Sequence, residues 1–101
     1  MNDAPLTRAT RIVASDDQAS AELSSEVVIL SMREGVYFGL DGVGARIWSL
    51  VQQPTTLGEV TGVIVAEFEV EEEQAFADLC ALAGEMAGHG LVRIGDGTNT
   101  T

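Results

Sequence analysis

The chain has 101 residues, of which 46% are hydrophobic and 5% aromatic, a composition typical of one aliphatic globular domain. Sixteen acidic residues against five arginines give a net charge of −11, and residues 47–92 contain eight acids and no lysine or arginine. Such a charge repels phosphate groups, which argues against nucleic acid and anionic membranes as partners, although it could also serve solubility alone. The single cysteine excludes an intrachain disulfide, and with no signal peptide or membrane span in the sequence we expect a cytoplasmic protein.

The first part of the chain predicts a three-stranded antiparallel meander. Residues 7–14 are β-prone, residues 15–25 form a polar loop, and residues 26–32 are a β-branched strand. The turn at 33–35, with Gly35 at positive φ, leads into the returning strand 36–40. In that strand Val36, Phe38 and Leu40 share one face.

Three helices follow the meander. Asp41 is a predicted N-cap for a helix over 42–52 whose apolar stripe contains Val43, Ile47, Trp48 and Val51. Thr56 and Glu59 form a predicted capping box for a second helix ending near Glu67. The third spans 72–88 and carries the apolar stripe Phe76, Leu79, Cys80, Ala83, Met86 and Ala87.

A short strand at 91–94 closes the order β-β-β-α-α-α-β. We therefore predict an α+β domain over residues 7–94, like a winged helix-turn-helix, with a three-stranded antiparallel sheet packed on three helices. Residues 1–6 and 95–101 are predicted flexible tails.

The sequence offers no constellation for catalysis or metal binding. His89 and Cys80 lie nine positions apart, so on a helix they would face different sides. His89, between two glycines, is expected to face solvent or to cap the third helix. Residues 42–44 resemble the start of a dinucleotide fingerprint, but Ile47 stands where the third glycine belongs. We expect no enzyme activity, no metal and no cofactor.

The predicted order of helices suggests a DNA-binding helix-turn-helix, but the acidic residues of the second helix of that pair argue against DNA binding. In helix-turn-helix proteins the second helix of the pair carries basic or amide residues at its N-terminal end. Here residues 71–73 are all glutamates. The open edge of strand 36–40 is the better candidate site, because an extended peptide can add a strand there, with the third helix as the wall of the groove.

The stretch from Tyr37 to Trp48, Tyr-Phe-Gly-Leu-Asp-Gly-Val-Gly-Ala-Arg-Ile-Trp, resembles the core signature of the PqqD-like family of precursor-peptide recognition elements. The strand 27–30, Asp78, Leu82 and the ending at 90–92 are similar too. The resemblance covers about residues 8–94. It implies that the leader peptide of a ribosomally made precursor binds as an extra strand against the third helix.

Within that family, the chain is most similar to free-standing lasso peptide leader-binding proteins. Those act beside a separate leader protease and a macrolactam-forming cyclase. The implied peptide-binding residues are Val36, Tyr37, Phe38, Gly39 and Leu40 on the strand and Ala75, Asp78, Leu79, Leu82 and Met86 on the helix.

Several alternatives stay open. Leu79 and Met86 could be plain core residues. The chain could instead be a chaperone that delivers a precursor to a radical enzyme in pyrroloquinoline quinone biosynthesis. It could also be a winged-helix protein-interaction module without a peptide substrate. In each case we expect a monomer.

Overall fold

The computed structural model describes residues 6–95 of the chain. Its helices are α1 (Gly42–Leu50), α2 (Leu57–Phe68) and α3 (Glu72–Gly88). Its strands are β1 (Arg11–Ala14), β2 (Gln18–Leu23), β3 (Glu26–Ser31), β4 (Val36–Asp41), β5 (Thr55–Thr56) and β6 (Val92–Gly95). These residues form three helices and two three-stranded antiparallel sheets, which confirms the predicted α+β class.

The meander has the strand order β2-β3-β4, which corrects the predicted loop over residues 15–25. β2 pairs with β3 along its whole length, from Gln18 opposite Ser31 to Leu23 opposite Glu26. All its residues except Leu23 are small or polar and have little strand propensity of their own, so pairing with the β-branched strand β3 stabilises it. The Nε1–H of Trp48 donates a hydrogen bond to the Ser20 hydroxyl at 3.2 Å, which ties β2 to α1.

The second sheet has the order β5-β1-β6, and it corrects the prediction that residues 7–14 belong to the meander. β1 pairs with β5 through Arg11 and Ile12 and with β6 over its whole length. Sequence order alone favours pairing of neighbouring strands, whereas here the N-terminal strand pairs with the last one. Gly95 is the final residue of β6, and Leu6 packs against the core, although sequence analysis places both in the tails.

The remaining tail residues, 1–5 and 96–101, lie outside the described part of the chain. The domain boundaries stay a prediction.

The helix caps follow the sequence only in part. Asp41 occupies the N-cap position of α1, but its side chain makes no capping hydrogen bond, contrary to expectation. The Thr56 hydroxyl accepts the backbone N–H of Glu59 at 3.2 Å, as predicted. The Glu59 carboxylate does not complete the capping box, because it accepts a hydrogen bond from the Thr55 hydroxyl at 2.8 Å instead.

The core lies between the helices and the inner faces of both sheets. Trp48 is only 2% exposed, which confirms its prediction as a core residue. Val43 is predicted on a buried stripe, but it is 37% exposed because it lies at the first turn of α1. The buried core residues come from β1, β3, β6, the three helices and the residues that follow α1 and α3: Ile12, Val27, Ile29, Ile47, Trp48, Val51, Leu57, Val60, Ile64, Ala75, Leu79, Ala83, Met86, Leu91 and Val92.

One polar bridge joins α1 to α2 outside the core. The Arg46 guanidinium donates two hydrogen bonds to the Glu67 carboxylate, both at 2.9 Å. The hydrogen bonds from Arg46 lower the pKa of Glu67 below its usual range. Among residues 6–95, no helix has the length and apolar character that a membrane span requires.

Candidate functional groove

Strand β4 is an edge strand of the meander. It pairs with β3 on one side, with Leu40 opposite Val27 and Phe38 opposite Ile29, and no described strand pairs with its other side. Residues directly opposite each other on neighbouring strands point to the same face of a sheet. Since Val27 and Ile29 are buried, Phe38 and Leu40 also lie on the core side of the meander. The free N–H and C=O groups along this edge can accept another strand.

A cavity of about 190 Å³ lies between β4 and the C-terminal half of α3. We refer to it as the hairpin-side cavity, because it lies near the turn between β3 and β4. The cavity is lined by Ile29, Phe38, Gly39, Leu40, Leu82, Glu85, Met86, His89 and Leu91. Most of these residues are apolar, and two of them, Glu85 and His89, have ionisable side chains. Apolar cavities with a few polar groups are typical of ligand sites.

A second cavity, of about 280 Å³, lies between α1, α2 and the N-terminal half of α3. We refer to it as the helix-side cavity. It is lined by Val43, Gly44, Ile47, Thr61, Ile64, Val70, Gln74, Ala75, Asp78, Leu79 and Leu82. Leu82 lines both cavities, so the two are adjacent along α3, and together they are the α3 groove.

One face of α3 forms the long wall of this groove. The lining positions 75, 78, 79, 82, 85 and 86 are spaced by one, three or four residues. On an α-helix this spacing keeps side chains on one stripe. The predicted role of the third helix as the wall of a groove beside β4 is therefore consistent with the geometry.

The predicted peptide-binding residues divide between the two cavities. Those at the hairpin-side cavity are Phe38, Gly39, Leu40, Leu82 and Met86, and those at the helix-side cavity are Ala75, Asp78, Leu79 and, again, Leu82. Val36 and Tyr37 line neither cavity, although both are exposed, and Tyr37 is 70% exposed. The assignment of peptide contacts to these residues stays a prediction.

Leu79 and Met86 are both core and groove residues. They are 2% and 3% exposed, so they belong to the hydrophobic core. Each nevertheless lines the floor of one cavity. The two alternatives left by the sequence are thus not exclusive, because a core side chain can present a small apolar area at the bottom of a groove.

His89 is a groove residue that sequence analysis missed. It occupies the C-cap position of α3, as one of the two expectations had it. Its ring also lies 4.6 Å from the ring of Phe38, centroid to centroid, and its Nδ1 lies 2.9 Å from Glu34 Oε1. Glycines on both sides of His89 suggest only a chain turn, and no sequence pattern indicates contacts with a hairpin more than fifty residues earlier.

The charge of the groove is acidic. Its ionisable lining residues are Asp78, Glu85 and His89, and no arginine lines either cavity. Asp78 accepts a hydrogen bond from the Gln74 amide at 2.9 Å.

Outside the groove, burial raises the pKa of the Cys80 thiol, and the charge of Arg8 lowers it by a smaller amount. Within residues 6–95, no three His, Cys, Asp or Glu side chains come close enough to hold a metal ion.

Two solved structures resemble this fold. One, described as TbiB1 in complex with the TbiA(beta) leader peptide, is 37% identical and has a TM-score of 0.76, covering 80% of this chain and 94% of that chain. The other, described as lasso peptide synthetase B1 complexed with the leader peptide, is 23% identical with a TM-score of 0.72. It covers 81% of this chain and 96% of that chain, and at this identity it supports the fold alone.

A comparison with curated proteins finds no match. The family comparison matches residues 26–92, which run from the start of β3 to the start of β6 and contain the whole α3 groove. The match includes the stretch from Tyr37 to Trp48 that carries the resemblance in the sequence. The chain therefore belongs to the family of coenzyme PQQ synthesis protein D (PqqD).

Proposed function

We propose that this chain binds the leader peptide of a ribosomally made precursor and delivers it to a separate leader protease and a macrolactam-forming cyclase in lasso peptide biosynthesis. The observation that carries the proposal is the unpaired edge of β4 directly beside the apolar α3 groove. The leader would add a strand to β4 through backbone hydrogen bonds and insert apolar side chains into the groove. The 37% identical TbiB1 is described in complex with a leader peptide, and this supports leader binding by the present chain.

The groove also limits the pattern of the peptide. The cavity linings centre near Asp78 and Met86 on α3, and eight helical residues at about 1.5 Å each separate them by roughly 12 Å. An extended peptide advances about 3.3 Å per residue, so about four residues cover that distance. Side chains four positions apart lie on the same face of a strand. A leader with two apolar residues at about this spacing fits both cavities.

Binding rather than catalysis is the proposed activity. The lining of the groove is mainly aliphatic and aromatic, and its ionisable side chains are two carboxylates and one imidazole. The His89 ring is paired with a carboxylate and lies tilted against an aromatic ring, and neither contact supplies a nucleophile. We propose that the chain acts in the cytoplasm as a monomer, without a cofactor and without binding nucleic acid, and that the chemistry belongs to its partner enzymes.

Delivery of the leader peptide requires a surface that the partner enzyme can contact. The outer face of the meander is a candidate for that surface. Leu23 and Tyr37 on this face are 52% and 70% exposed, and Met32, in the turn that follows β3, is 60% exposed. The strand register places the charged residues Glu26 and Asp41 at one end of the face. A leader strand added to β4 would extend this sheet, so the same partner could contact both the outer face and the leader. We propose the leader protease as that partner.

A second candidate function is delivery of a precursor to a radical enzyme, as in pyrroloquinoline quinone biosynthesis. The family match favours it, because the family is described by coenzyme PQQ synthesis. The sequence resemblance to free-standing lasso leader-binding proteins favours the lasso assignment, and the 37% identity to TbiB1, described with a leader peptide, agrees with leader binding. Reconstitution of each pathway with this chain in place of its own leader-binding protein distinguishes the two, because only the correct pathway would yield processed precursor.

Fluorescence anisotropy tests the binding step directly. Fluorescein-labelled TbiA(beta) leader peptide is titrated with the protein, and a scrambled peptide of the same composition is the matched control. We expect saturable binding of the leader that is at least about tenfold tighter than that of the scrambled peptide. Equal binding of both peptides, or none of either, contradicts the proposal.

A further inference from the structure

A set of polar contacts joins the turn between β3 and β4 to the end of α3. The Ser31 hydroxyl donates to the His89 carbonyl at 3.0 Å, and the Arg33 guanidinium donates to the Gly88 carbonyl at 2.8 Å. The Glu34 carboxylate lies 2.9 Å from Nδ1 of His89. We name this set of contacts the hairpin clasp.

The hairpin clasp is built from buried as well as exposed groups. Ser31 is fully buried, and its hydroxyl also accepts the backbone N–H of Glu34 at 3.2 Å, so one side chain fixes both the turn and the helix end. The Arg33 guanidinium also lies against Gly90, where an added Cβ would come within 3.0 Å of Arg33 Cζ. Gly90 has a φ of +78°, a conformation that favours glycine. Any side chain at position 90 would therefore disturb the clasp.

The position of the hairpin clasp matters for the groove. β4 begins at Val36, directly after the turn, and α3 ends at Gly88, directly before His89. The clasp therefore connects the start of one groove wall to the end of the other. Elsewhere β4 packs mainly on α1 and β3, whereas α3 packs mainly on α2 and β6. The side chains of Phe38, Leu40 and Met86 belong to one hydrophobic cluster, and the His89 ring lies against Phe38. The clasp adds directional polar contacts to this apolar packing.

We propose that the hairpin clasp sets the width of the α3 groove, so that Ser31, Arg33 and His89 are positioning residues for peptide binding. This inference rests on the proposed function. A peptide strand must satisfy two distances at once, one to the backbone of β4 and one to the wall formed by α3. A groove of fixed width meets both without the loss of conformational entropy that closing a mobile hairpin would cost.

Four variants separate the contacts of the clasp. Arg33→Ala removes the hydrogen bond to Gly88, and Arg33→Lys restores a cationic donor. His89→Asn keeps an amide nitrogen near the position of Nδ1 but loses the ring that lies against Phe38. His89→Phe keeps the ring and loses the bond to Glu34. Arg93→Ala is the matched control, because Arg93 is an exposed arginine on β6 that does not line the groove.

Two measurements are made on each variant. The first is the affinity for fluorescein-labelled TbiA(beta) leader peptide. The second is the distance between spin labels at Met32→Cys and Ala81→Cys in the free protein, with Cys80→Ala removing the native thiol. Both labelled positions are exposed. Urea unfolding of each variant separates loss of the clasp from loss of the fold.

For Arg33→Ala we expect a broader and longer distance distribution and a leader affinity weaker by about fivefold, as expected for one net hydrogen bond. Arg33→Lys should recover most of the leader affinity and most of the wild-type distance distribution. Arg93→Ala should match the wild type in both measurements. An unchanged distance distribution in Arg33→Ala and both His89 variants overturns the inference, whatever happens to affinity. So does an unchanged affinity in variants whose distances have broadened.

The proposed function and the clasp can fail separately. If the wild-type protein does not distinguish the leader from a scrambled peptide, the proposed function fails. The spin-label distances still decide whether the clasp fixes the two walls. If the wild type binds the leader and all clasp variants bind it equally well, the proposed function stands and the positioning role is wrong.

Discussion

The two three-stranded sheets of this protein differ in what their outer faces present. On the β5-β1-β6 sheet, Arg11 and Arg93 lie on the face opposite to the buried residues Ile12 and Val92. Charged residues on the solvent side are ordinary for such a sheet. The meander instead exposes large apolar side chains on its outer face, and its edge strand β4 borders the α3 groove.

This difference separates residues that stabilise the fold from residues available for binding. The β5-β1-β6 sheet joins the two ends of the domain, and its features are explained by folding alone. The meander keeps two features that folding does not explain, an open edge beside a groove and an exposed apolar face. Selection for folding alone would be expected to protect that edge or to place charges on that face.

The largest expected effect is on stability and comes from the β5-β1-β6 sheet. Ile12 is 1% exposed and packs in the core. Ile12→Ala should lower the free energy of unfolding by roughly 2–5 kcal/mol, because it leaves a cavity. Val13→Ala, on the outer face of the same strand, is the matched control and should cost much less. Urea denaturation measures both, and equal losses would break the comparison.

The next effect is on peptide binding and comes from the open edge of β4. Successive N–H groups along a strand point to opposite sides, so of Tyr37 and Phe38 one donates toward β3 and the other toward the open edge. Proline removes the N–H group. One of Tyr37→Pro and Phe38→Pro should lose leader binding while remaining folded, and the other should destabilise the meander. Alanine at each position keeps the N–H and is the control.

Anisotropy with the labelled leader and urea unfolding are run on all four variants. If both proline variants bind the leader like their alanine controls, the open edge is not the site of strand addition.

A further effect should appear only when the partner enzyme is present. Leu23→Ser combined with Met32→Ser removes two exposed apolar side chains, one from the outer face of the meander and one from the turn that follows β3. We expect leader affinity to stay within about twofold of wild type, since neither residue lines the groove. Cleavage of the precursor by a lasso leader protease, followed by mass spectrometry, should slow markedly. Unchanged cleavage would remove the outer face from the proposal.

The smallest effect concerns one carboxylate of the groove. Asp78→Asn should weaken leader binding by about 1 kcal/mol if the carboxylate accepts a charge-assisted hydrogen bond from the peptide. The estimate is modest because Asp78 is exposed and already accepts a bond from Gln74. Glu73→Gln, also exposed on α3 but not in the groove, is the control. Calorimetric titration of both variants should show the loss only in Asp78→Asn.

Elements with strong local signals were predictable from the sequence. The β-branched run of β3, the glycine turn at residue 35 and the long apolar stripe of α3 each carry a pattern of their own, and α3 was predicted with its observed bounds. β2 carries no such pattern, because its small and polar residues become a strand only through pairing with β3. The placement of β1 depends on pairing with β6, almost eighty residues away, which local periodicity does not reveal.

The same reasoning explains what was missed in the groove. Groove residues on α3 could be named because helical spacing puts them on one stripe. His89 lies beyond the end of the helix, and its contacts with Glu34 and Phe38 arise only from tertiary packing. Val43 was assigned to a buried stripe, but it lies at the first turn of α1, where it lines the helix-side cavity.

Amide chemical-shift mapping during titration with a leader peptide tests the central claim most directly. If the peptide adds a strand to β4, the largest shifts should fall on residues 36–41 and on the groove face of α3, from Gln74 to His89. Residues of the β5-β1-β6 sheet should shift little, because they lie outside the groove. Shifts concentrated on β1 and β6, with β4 unaffected, would contradict the account even if the peptide binds tightly.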